Sequence, residues 1–283
     1  MHIWKTSQRE IRFDRTLVMA ILNVTPDSFT DGGRYSDLSS AFRRVEALVD
    51  DGADIIDIGG ESTRPGSERV NAENEIERVV PVITAIRERF DVPISIDTSK
   101  SAVAEAAIIA GAEIINDISG LRYDEQIAGV AVNHNAGLVL MHSRGSFETM
   151  HTQEPAADIL TEVAADFRRS IGIAQHRGLS PEQIALDVGI GFGKTLVQNL
   201  ELIAKIGKLA EEFPSFPLLV GASRKSFIGK ILDGIPPDER LSGSLAIASI
   251  AAWNGADILR VHDVKETVEC IKIVDAARMS ARM

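Results

Sequence analysis

The sequence predicts an α/β protein, a closed (β/α)8 TIM barrel preceded by a short N-terminal β-hairpin. Short apolar runs alternate along the chain with segments whose apolar residues recur at helical spacing. One junction, in which a glycine ends a helix and a new strand begins, recurs at Gly52–Ile56, Gly111–Ile115 and Gly255–Leu259. The 283 residues show no break in composition. These observations favour a single barrel domain over residues 1–283 rather than an open doubly wound sheet.

The predicted barrel strands are short, mostly apolar runs, typical of strands buried on both faces. They are expected at Val18–Leu22, Asp54–Ile58, Pro93–Ile96, Glu113–Ile115, Leu138–Met141, Ile184–Leu186, Leu218–Val220 and Ile258–Val261. A small hairpin is expected before them, within His2–Phe13.

Amphipathic helices are predicted between the strands from apolar residues spaced three and four apart. They are expected around Ala41–Val49, Ile76–Ile86, Val103–Ala110, Ile159–Gln175, Leu200–Ile206, Leu245–Trp253 and Val264–Met279. The residues Ser180–Gln183 have the pattern of a capping box, and Ser242 is expected to cap the helix that follows it.

Composition limits the classes of partner. The formal net charge of −11 argues against nucleic acid and against an anionic membrane, since both require a basic face. The single cysteine, Cys270, excludes an internal disulfide and fits a reducing compartment. The first residues lack the apolar core of a leader, and no apolar run is long enough to span a membrane. We therefore expect a cytoplasmic protein.

Polar residues follow the predicted strands at their carboxyl ends, where the active site of such a barrel forms. Each one alone fits a turn former or a helix N-cap equally well, but several on neighbouring strands favour a site. They are Asn23, Thr63, Arg64, Asp97, Asn116, Asp187, Lys225, Arg260 and His262. A carboxylate in a narrow site needs hydrogen-bond donors, which predicts a ligand rich in N–H groups. Arg64, Arg260 and His262 are expected to surround Asn23 and to bind a phosphate.

The segment Gly189–Thr195, with the sequence GIGFGKT, suggests a P-loop. That motif needs four residues between its first glycine and the Gly-Lys pair, and this segment has only Ile190, Gly191 and Phe192 there. Binding of a nucleoside triphosphate is therefore not predicted. Phe192 is interpreted as a wall of the pocket or as part of the core.

Several segments taken together resemble the dihydropteroate synthase family. They are Leu22–Gly33, Asp57–Gly66, Ser95–Thr98, Asn116–Ser119, Met141–His142, Asp187–Lys194, Gly221–Gly229, Ser242–Ala246 and Arg260–Val264. One position departs from the family pattern, because Val188 stands where the family usually has proline. The resemblance implies condensation of 6-hydroxymethyl-7,8-dihydropterin pyrophosphate with p-aminobenzoate, giving 7,8-dihydropteroate and pyrophosphate. It further implies that pyrophosphate leaves first and that the arylamine attacks a pterin carbocation.

The resemblance also implies roles for individual residues. Asp97, Asn116 and Asp187 would pair with the pterin, and Lys225 would reach its carbonyl side. The residues implied to hold pyrophosphate are Asn23, Thr63, Arg64, Arg260 and His262, with Mg2+ bridging pyrophosphate and Asn23. The residues implied to act in catalysis are Lys225, Arg260, Asp97 and Asp31. The remaining substrate contacts are expected at Phe29, Pro65, Met141, Phe192, Gly221 and Ser226, with Phe29 and Pro65 walling the arylamine and Ser226 near its carboxylate.

A homodimer through the late helices is implied as well. Two other functions stay open from the residues: a pterin-binding domain that passes a methyl group to a corrinoid, and a barrel that binds pterin without catalysis. The first has no need of a pyrophosphate site, so Ser62–Gly66 and Arg260–His262 favour the synthase.

Overall fold

The computed structural model describes residues 2–24, 33–62, 67, 69–147, 149 and 152–281. Within these ranges, eight parallel strands form a closed barrel in which each strand pairs with the next, and the last returns to the first. The barrel strands are β3 (Leu17–Asn23), β4 (Ile55–Gly59), β5 (Ile94–Asp97), β6 (Ile114–Asp117), β7 (Gly137–Met141), β8 (Ile184–Asp187), β9 (Leu218–Val220) and β10 (Ile258–Val261). The antiparallel pair β1 (Ile3–Lys5) and β2 (Glu10–Arg12) precedes them. The predicted fold class is confirmed.

Helices follow the barrel strands and cover the outside of the barrel. The α-helices of the described chain are α1 (Gly33–Asp50), α2 (Ala72–Arg87), α3 (Ser101–Ala110), α4 (Gln126–Asn133), α5 (Ile159–His176), α6 (Leu196–Glu212), α7 (Ser226–Ile231), α8 (Leu241–Trp253) and α9 (Val264–Ala281). None of these described helices combines the length and the apolar character needed to cross a membrane.

Two details of the helices differ from the sequence-based expectations. The helix α4 was not predicted, because its eight residues include Gly129 and two valines, which are poor helix formers. The expectation that Ser242 caps α8 is wrong, since the helix begins at Leu241 and Arg240 holds the N-cap position. The expected capping box at Ser180 and Gln183 is confirmed.

The N-terminal hairpin closes the bottom of the barrel. The side chain of Trp4 is fully buried, and its Nε1 donates to the carbonyl oxygen of Gln183 at 2.9 Å. It packs with Phe13 and with inward-facing residues of the strands, namely Leu17, Met19, Ile55, Ile114, Val139, Ala185, Leu219 and Ile258. Because this end is filled with apolar side chains, the polar residues of the barrel interior lie at the opposite, carboxyl-terminal end.

Candidate active site

A row of residues in register lies at the carboxyl-terminal mouth of the barrel. Asn23 pairs with Gly59, Gly59 with Asp97, and Asp97 with Asn116, across four adjacent strands. A Cβ atom at Gly59 would lie 3.6 Å from Oδ1 of Asn23 and 3.6 Å from Cβ of Asp97. The glycine therefore leaves space between two polar side chains at the mouth of the barrel.

The guanidinium group of Arg260, on β10, reaches past β3 to two carboxylates on β4 and β5. Its Nε donates to Oδ2 of Asp57 at 2.6 Å, and its Nη2 donates to Oδ2 of Asp97 at 2.5 Å. Asp57 is completely buried, and the same Oδ2 accepts a hydrogen bond from Nδ2 of Asn116 at 3.1 Å. Arg260 is thus fixed by two ion pairs, and Asp57 links it to the predicted pterin residue Asn116.

These charges act on one another through a poorly hydrated interior. Burial raises the pKa of Asp97, and the charge of Arg260 opposes that rise. Burial by itself would lower the pKa of Arg260, but the charges of Asp57 and Asp97 raise it above its ordinary value. Arg260 is therefore a permanent cation, and the protonation of the site is set by its carboxylates and lysines.

The side of the site that carries the predicted pterin residues offers hydrogen-bond acceptors. Asp187 ends β8, and its Oδ1 accepts from the backbone N–H of Gly189 at 2.7 Å, while burial raises its pKa. Within the described chain, the buried atoms Oδ1 of Asn116 and Oδ1 of Asp57 have no hydrogen-bond partner. A buried acceptor without a donor costs free energy, and a ligand that brings N–H groups would recover it.

Lys225 lies at the N-cap position of α7, where the charge of Asp187 acts on it. Its Nζ donates to the carbonyl oxygen of Ile190 and lies 4.0 Å from the ring centre of Phe192. Burial lowers the pKa of Lys225 to about 7. The predicted wall residue Phe192 therefore contacts the predicted catalytic lysine directly. A Cβ atom at Gly191 would lie 2.7 Å from Cδ of Lys225, so the loop approaches the lysine as closely as glycine permits.

The backbone before Lys225 is held in an unfavourable conformation. Arg224 has φ 58°, in the left-handed region that L-residues with side chains rarely adopt. Three contacts hold it there: its N–H donates to Oγ of Ser244 at 2.9 Å, its carbonyl oxygen accepts from Nη1 of Arg240 at 2.9 Å, and its guanidinium pairs with Asp263. This conformation aims Lys225 into the barrel.

The other predicted residues lie around this centre. Met141 ends β7 and is buried, and a Cβ at Gly221 would lie 3.6 Å from Cβ of Arg260. Ser226 is exposed at the first position of α7. His262 follows β10, with its Nδ1 3.1 Å from Oγ of Ser223.

Some of the predicted residues cannot be compared with the structure. Phe29, Asp31, Thr63, Arg64 and Pro65 lie outside the described residues, so their roles stay predictions. In the part of the chain that the structure describes, no three His, Cys, Asp or Glu residues form a group that could hold a metal ion.

Two residues of this site were missed by sequence reasoning. Asp57 falls within a predicted apolar strand, although a lone acid in a completely buried strand is itself a signal of a functional or paired charge. The other missed residue is Lys194, which the sequence suggests only as the lysine of a P-loop. Its Nζ donates to the carbonyl oxygen of Phe192 at 3.1 Å, and burial lowers its pKa to about 7.

The closed barrel and the polar cluster at its mouth define a class, a (β/α)8-barrel enzyme with a small-molecule site at the carboxyl ends of its strands. A family model described as "Pterin binding enzyme" matches residues 19–262. A dihydropteroate synthase from Synechocystis sp. is 48% identical over 262 residues, which cover 93% of this chain and 90% of that protein. The chain belongs to the pterin binding enzyme family.

Solved structures of dihydropteroate synthases agree with this assignment. One from Clostridium difficile, determined in the presence of pteroic acid, has a TM-score of 0.88 and 42% identity, covering 94% of this chain and 97% of that one. One from Xanthomonas albilineans with 4-aminobenzoic acid has a TM-score of 0.89 and 37% identity, covering 97% of this chain and 98% of that one. The similarity extends over nearly the whole of each chain.

Proposed function

We propose that this protein condenses 6-hydroxymethyl-7,8-dihydropterin pyrophosphate with p-aminobenzoate, forming 7,8-dihydropteroate and pyrophosphate in folate biosynthesis. The observation that carries the proposal is the set of buried acceptors beside a fixed cation, formed by Asn116, Asp187, Asp97 and Arg260. The dihydropteroate synthases to which the chain is similar support the same reaction.

The pterin edge matches the acceptors in chemistry. A pterin carries an exocyclic amino group and ring N–H groups on one side and a carbonyl on another. Asp187 and the Oδ1 of Asn116 would accept hydrogen bonds from the N–H side, while the ammonium of Lys225 would donate to the carbonyl. Because these groups are buried, each matched bond is worth more than it would be in water.

The leaving pyrophosphate would be bound on the side of Asn23, Arg260 and His262. A guanidinium carries more N–H donors than the two that Arg260 gives to Asp57 and Asp97, so it can also donate to phosphate oxygens. Nδ1 of His262 lies 3.1 Å from Oγ of Ser223, and this contact helps to hold the ring in place beside β10.

Mg2+ is proposed as the metal ion, with Asn23 as its protein ligand. An amide oxygen is a hard ligand, and Mg2+ is commonly bound by few protein oxygens together with substrate phosphates and water, so the residues present fit the ion. Asn23 is partly exposed at the tip of β3, where a phosphate-bound ion could reach it. When bound, Mg2+ would neutralise charge on the departing pyrophosphate.

The chemical step is proposed to begin with cleavage of the C–O bond to pyrophosphate, followed by attack of the arylamine nitrogen on the pterin carbocation. That nitrogen then loses one proton to water or to the released pyrophosphate. The protein need not deprotonate the amine first, because the cation is a strong electrophile. Its residues would instead stabilise the leaving group with Arg260 and His262 and hold the pterin ring with Asp187 and Lys225. Catalytic power would come from preformed charges.

A homodimer and a cytoplasmic location complete the proposal. Ile250 and Trp253 are 45% and 53% exposed and lie three residues apart on α8. Ile273 is 72% exposed on α9, three residues after Cys270, whose Sγ lies 3.0 Å from Oγ of Ser249 on α8. These apolar side chains form a surface on the late helices that a second copy of the chain would cover.

The cytoplasmic location is proposed because the lone cysteine fits a reducing compartment.

The test is to mix the purified protein with both substrates and Mg2+ and to measure pyrophosphate and dihydropteroate. Both products should appear together, and neither should appear when the pterin lacks its pyrophosphate. Methyl transfer to a corrinoid, or pterin binding without pyrophosphate release, would overturn the proposal. Size-exclusion chromatography with light scattering tests the dimer, which Trp253→Glu should dissociate without changing the charged centre.

A further inference from the structure

We infer that Lys194 is a positioning residue, whose ammonium group holds the loop between β8 and α6 in the shape that places Lys225 and Phe192 in the site. The inference rests on the proposed function for its kinetic consequences, but its structural basis is independent. Nζ of Lys194 donates to the carbonyl oxygens of Gly189 at 2.7 Å, Phe192 at 3.1 Å and His142 at 3.4 Å. These carbonyls come from the loops that follow β7 and β8.

In its protonated form Lys194 has three N–H donors, and each has an acceptor here. The neutral amine, which forms above its pKa of about 7, keeps two donors for the same carbonyls. Lys194 is therefore committed to the backbone and has no donor left for a substrate atom. No ion pair joins Lys194 to a carboxylate within the described chain, so these carbonyls are its partners. Lys194 acts on the reaction only through the loop that it holds.

The shape of this loop depends on such a central donor group. Gly189, Gly191 and Gly193 all have positive φ, at 65°, 84° and 64°, and the carbonyl oxygens of Gly189 and Phe192 both face Nζ of Lys194. Convergent carbonyls repel one another unless a donor lies between them. The loop has other anchors, since Asn199 accepts from the N–H of Gly191 at 2.7 Å. Other donors bind carbonyls of the loop, because the N–H of Phe192 also donates to the carbonyl oxygen of Gly189 at 3.1 Å and Nη1 of Arg144 donates to that of Gly193 at 3.3 Å. Among the described residues, Lys194 is the donor that joins the carbonyls of Gly189 and Phe192 to that of His142.

The loop carries two contacts that fix Lys225. The carbonyl oxygen of Ile190 accepts from Nζ of Lys225, and the ring of Phe192 lies 4.0 Å from that same atom. Ile190 lies between Gly189 and Phe192, the two loop residues whose carbonyls bind Lys194. Movement of these carbonyls would displace the partner of Lys225 as well. Lys194 thus stabilises the position of Lys225 through the loop.

The test compares Lys194→Met with Lys205→Met. Methionine keeps most of the side-chain length and removes the donors. Lys205 lies on α6 in the same part of the fold, but its Nζ pairs with the partly exposed Glu201 at 2.6 Å and has no link to the site. Hydrogen exchange is measured for the amides of residues 188–194, and steady-state kinetics for both substrates.

In Lys194→Met, exchange within 188–194 should accelerate at least about tenfold while the free energy of unfolding and exchange in β3–β7 stay near wild type. The KM for the pterin pyrophosphate should rise about ten- to hundredfold, because a small displacement of a positioning loop costs that much. A merely structural role would instead lower the fraction of active protein and leave KM unchanged. Lys205→Met should match the wild type in both measurements.

Unchanged exchange in 188–194 would overturn the inference, whether or not the protein forms dihydropteroate. An active wild type with unchanged KM in Lys194→Met would overturn it as well. A wild type that forms no dihydropteroate would refute the proposed function alone. In that case, accelerated hydrogen exchange confined to residues 188–194 in Lys194→Met would still show that Lys194 holds this loop in place.

Discussion

The substitution Asp57→Asn tests the charged centre most directly. It keeps the shape of the side chain but removes one of the two carboxylates that bind Arg260. In the wild type, Oδ2 of Asp57 accepts from Nε of Arg260 at 2.6 Å and from Nδ2 of Asn116 at 3.1 Å. Breaking a buried ion pair costs about 3–5 kcal/mol, and a hydrogen bond to a charged group contributes about 1.5–3 kcal/mol. Since Arg260 keeps Asp97, we expect a loss of about 2–3 kcal/mol of unfolding free energy.

The variant should also change the titration of the site. The charge of Asp57 helps to raise the pKa of Asp97, so its removal should lower that pKa. Stability is measured by urea unfolding near neutral pH, with Asp91→Asn as the control. Asp91 also pairs with an arginine, Arg9, but it is 93% exposed and its variant should be indistinguishable from wild type. A loss below about 0.5 kcal/mol with full activity would show that Arg260 does not depend on Asp57.

Further predictions concern the pterin edge, the lysines and the loop. Asp187→Asn places a donor against the donors of the pterin and should weaken pterin binding by about 1–3 kcal/mol in calorimetry; unchanged affinity would remove its proposed role. Burial lowers the pKa of Lys194 and of Lys225 to about 7, so the unfolded chain binds more protons above that pH. The free energy of unfolding should therefore rise from about pH 7 to about pH 9.5. Lys225→Met should reduce the slope of this rise by up to about 1.4 kcal/mol per pH unit. If urea unfolding at several pH values gave the same slope for the variant and the wild type, the prediction would be contradicted. Gly189→Ala should cost at least about 1–3 kcal/mol in urea unfolding, because φ is 65° and a Cβ there would collide with the carbonyl oxygen of His142. The control Gly172→Ala, inside α5 with open space around it, should be neutral or stabilising.

The barrel strands were predictable because each is an apolar run that ends where polar residues begin. This pattern follows from burial of a parallel strand on both faces, and the structure places Asp97, Asn116 and Asp187 at strand ends as expected. The helix α4 was not predictable in the same way, since its composition favours no helix and packing against the barrel decides it. Local sequence therefore indicates the strands well and the short helices poorly.

The partners of the site residues could not be predicted from the sequence. Asp57 and Arg260 are separated by 203 residues and meet only because β10 closes the barrel against β3, which brings them to nearby strands. From the sequence, Arg260 is expected to bind only an anion of the substrate. In the structure it also binds the carboxylates of Asp57 and Asp97. Spacing along the chain carries no information on such a contact.

The segment Gly189–Thr195 shows how one composition can serve opposite chemistry. In a P-loop, glycines let backbone N–H groups converge on a phosphate anion. Here the positive φ values turn the carbonyl oxygens of Gly189 and Phe192 toward the cation Lys194. The spacing argument was sufficient to exclude the P-loop, but only the backbone conformation shows what the glycines do instead.

The site contains several cations although the chain as a whole is acidic. A protein of net charge −11 does not attract an anionic substrate through its overall field. The cations Arg260, Lys225 and Lys194 are instead gathered at one end of the barrel, with Asp97 and Asp187 among them. Because the acids balance the cations, the centre can be buried without a large excess of one sign. The same balance leaves acceptors for a neutral heterocycle and donors for a leaving anion at one end of the barrel, which is what the proposed condensation requires.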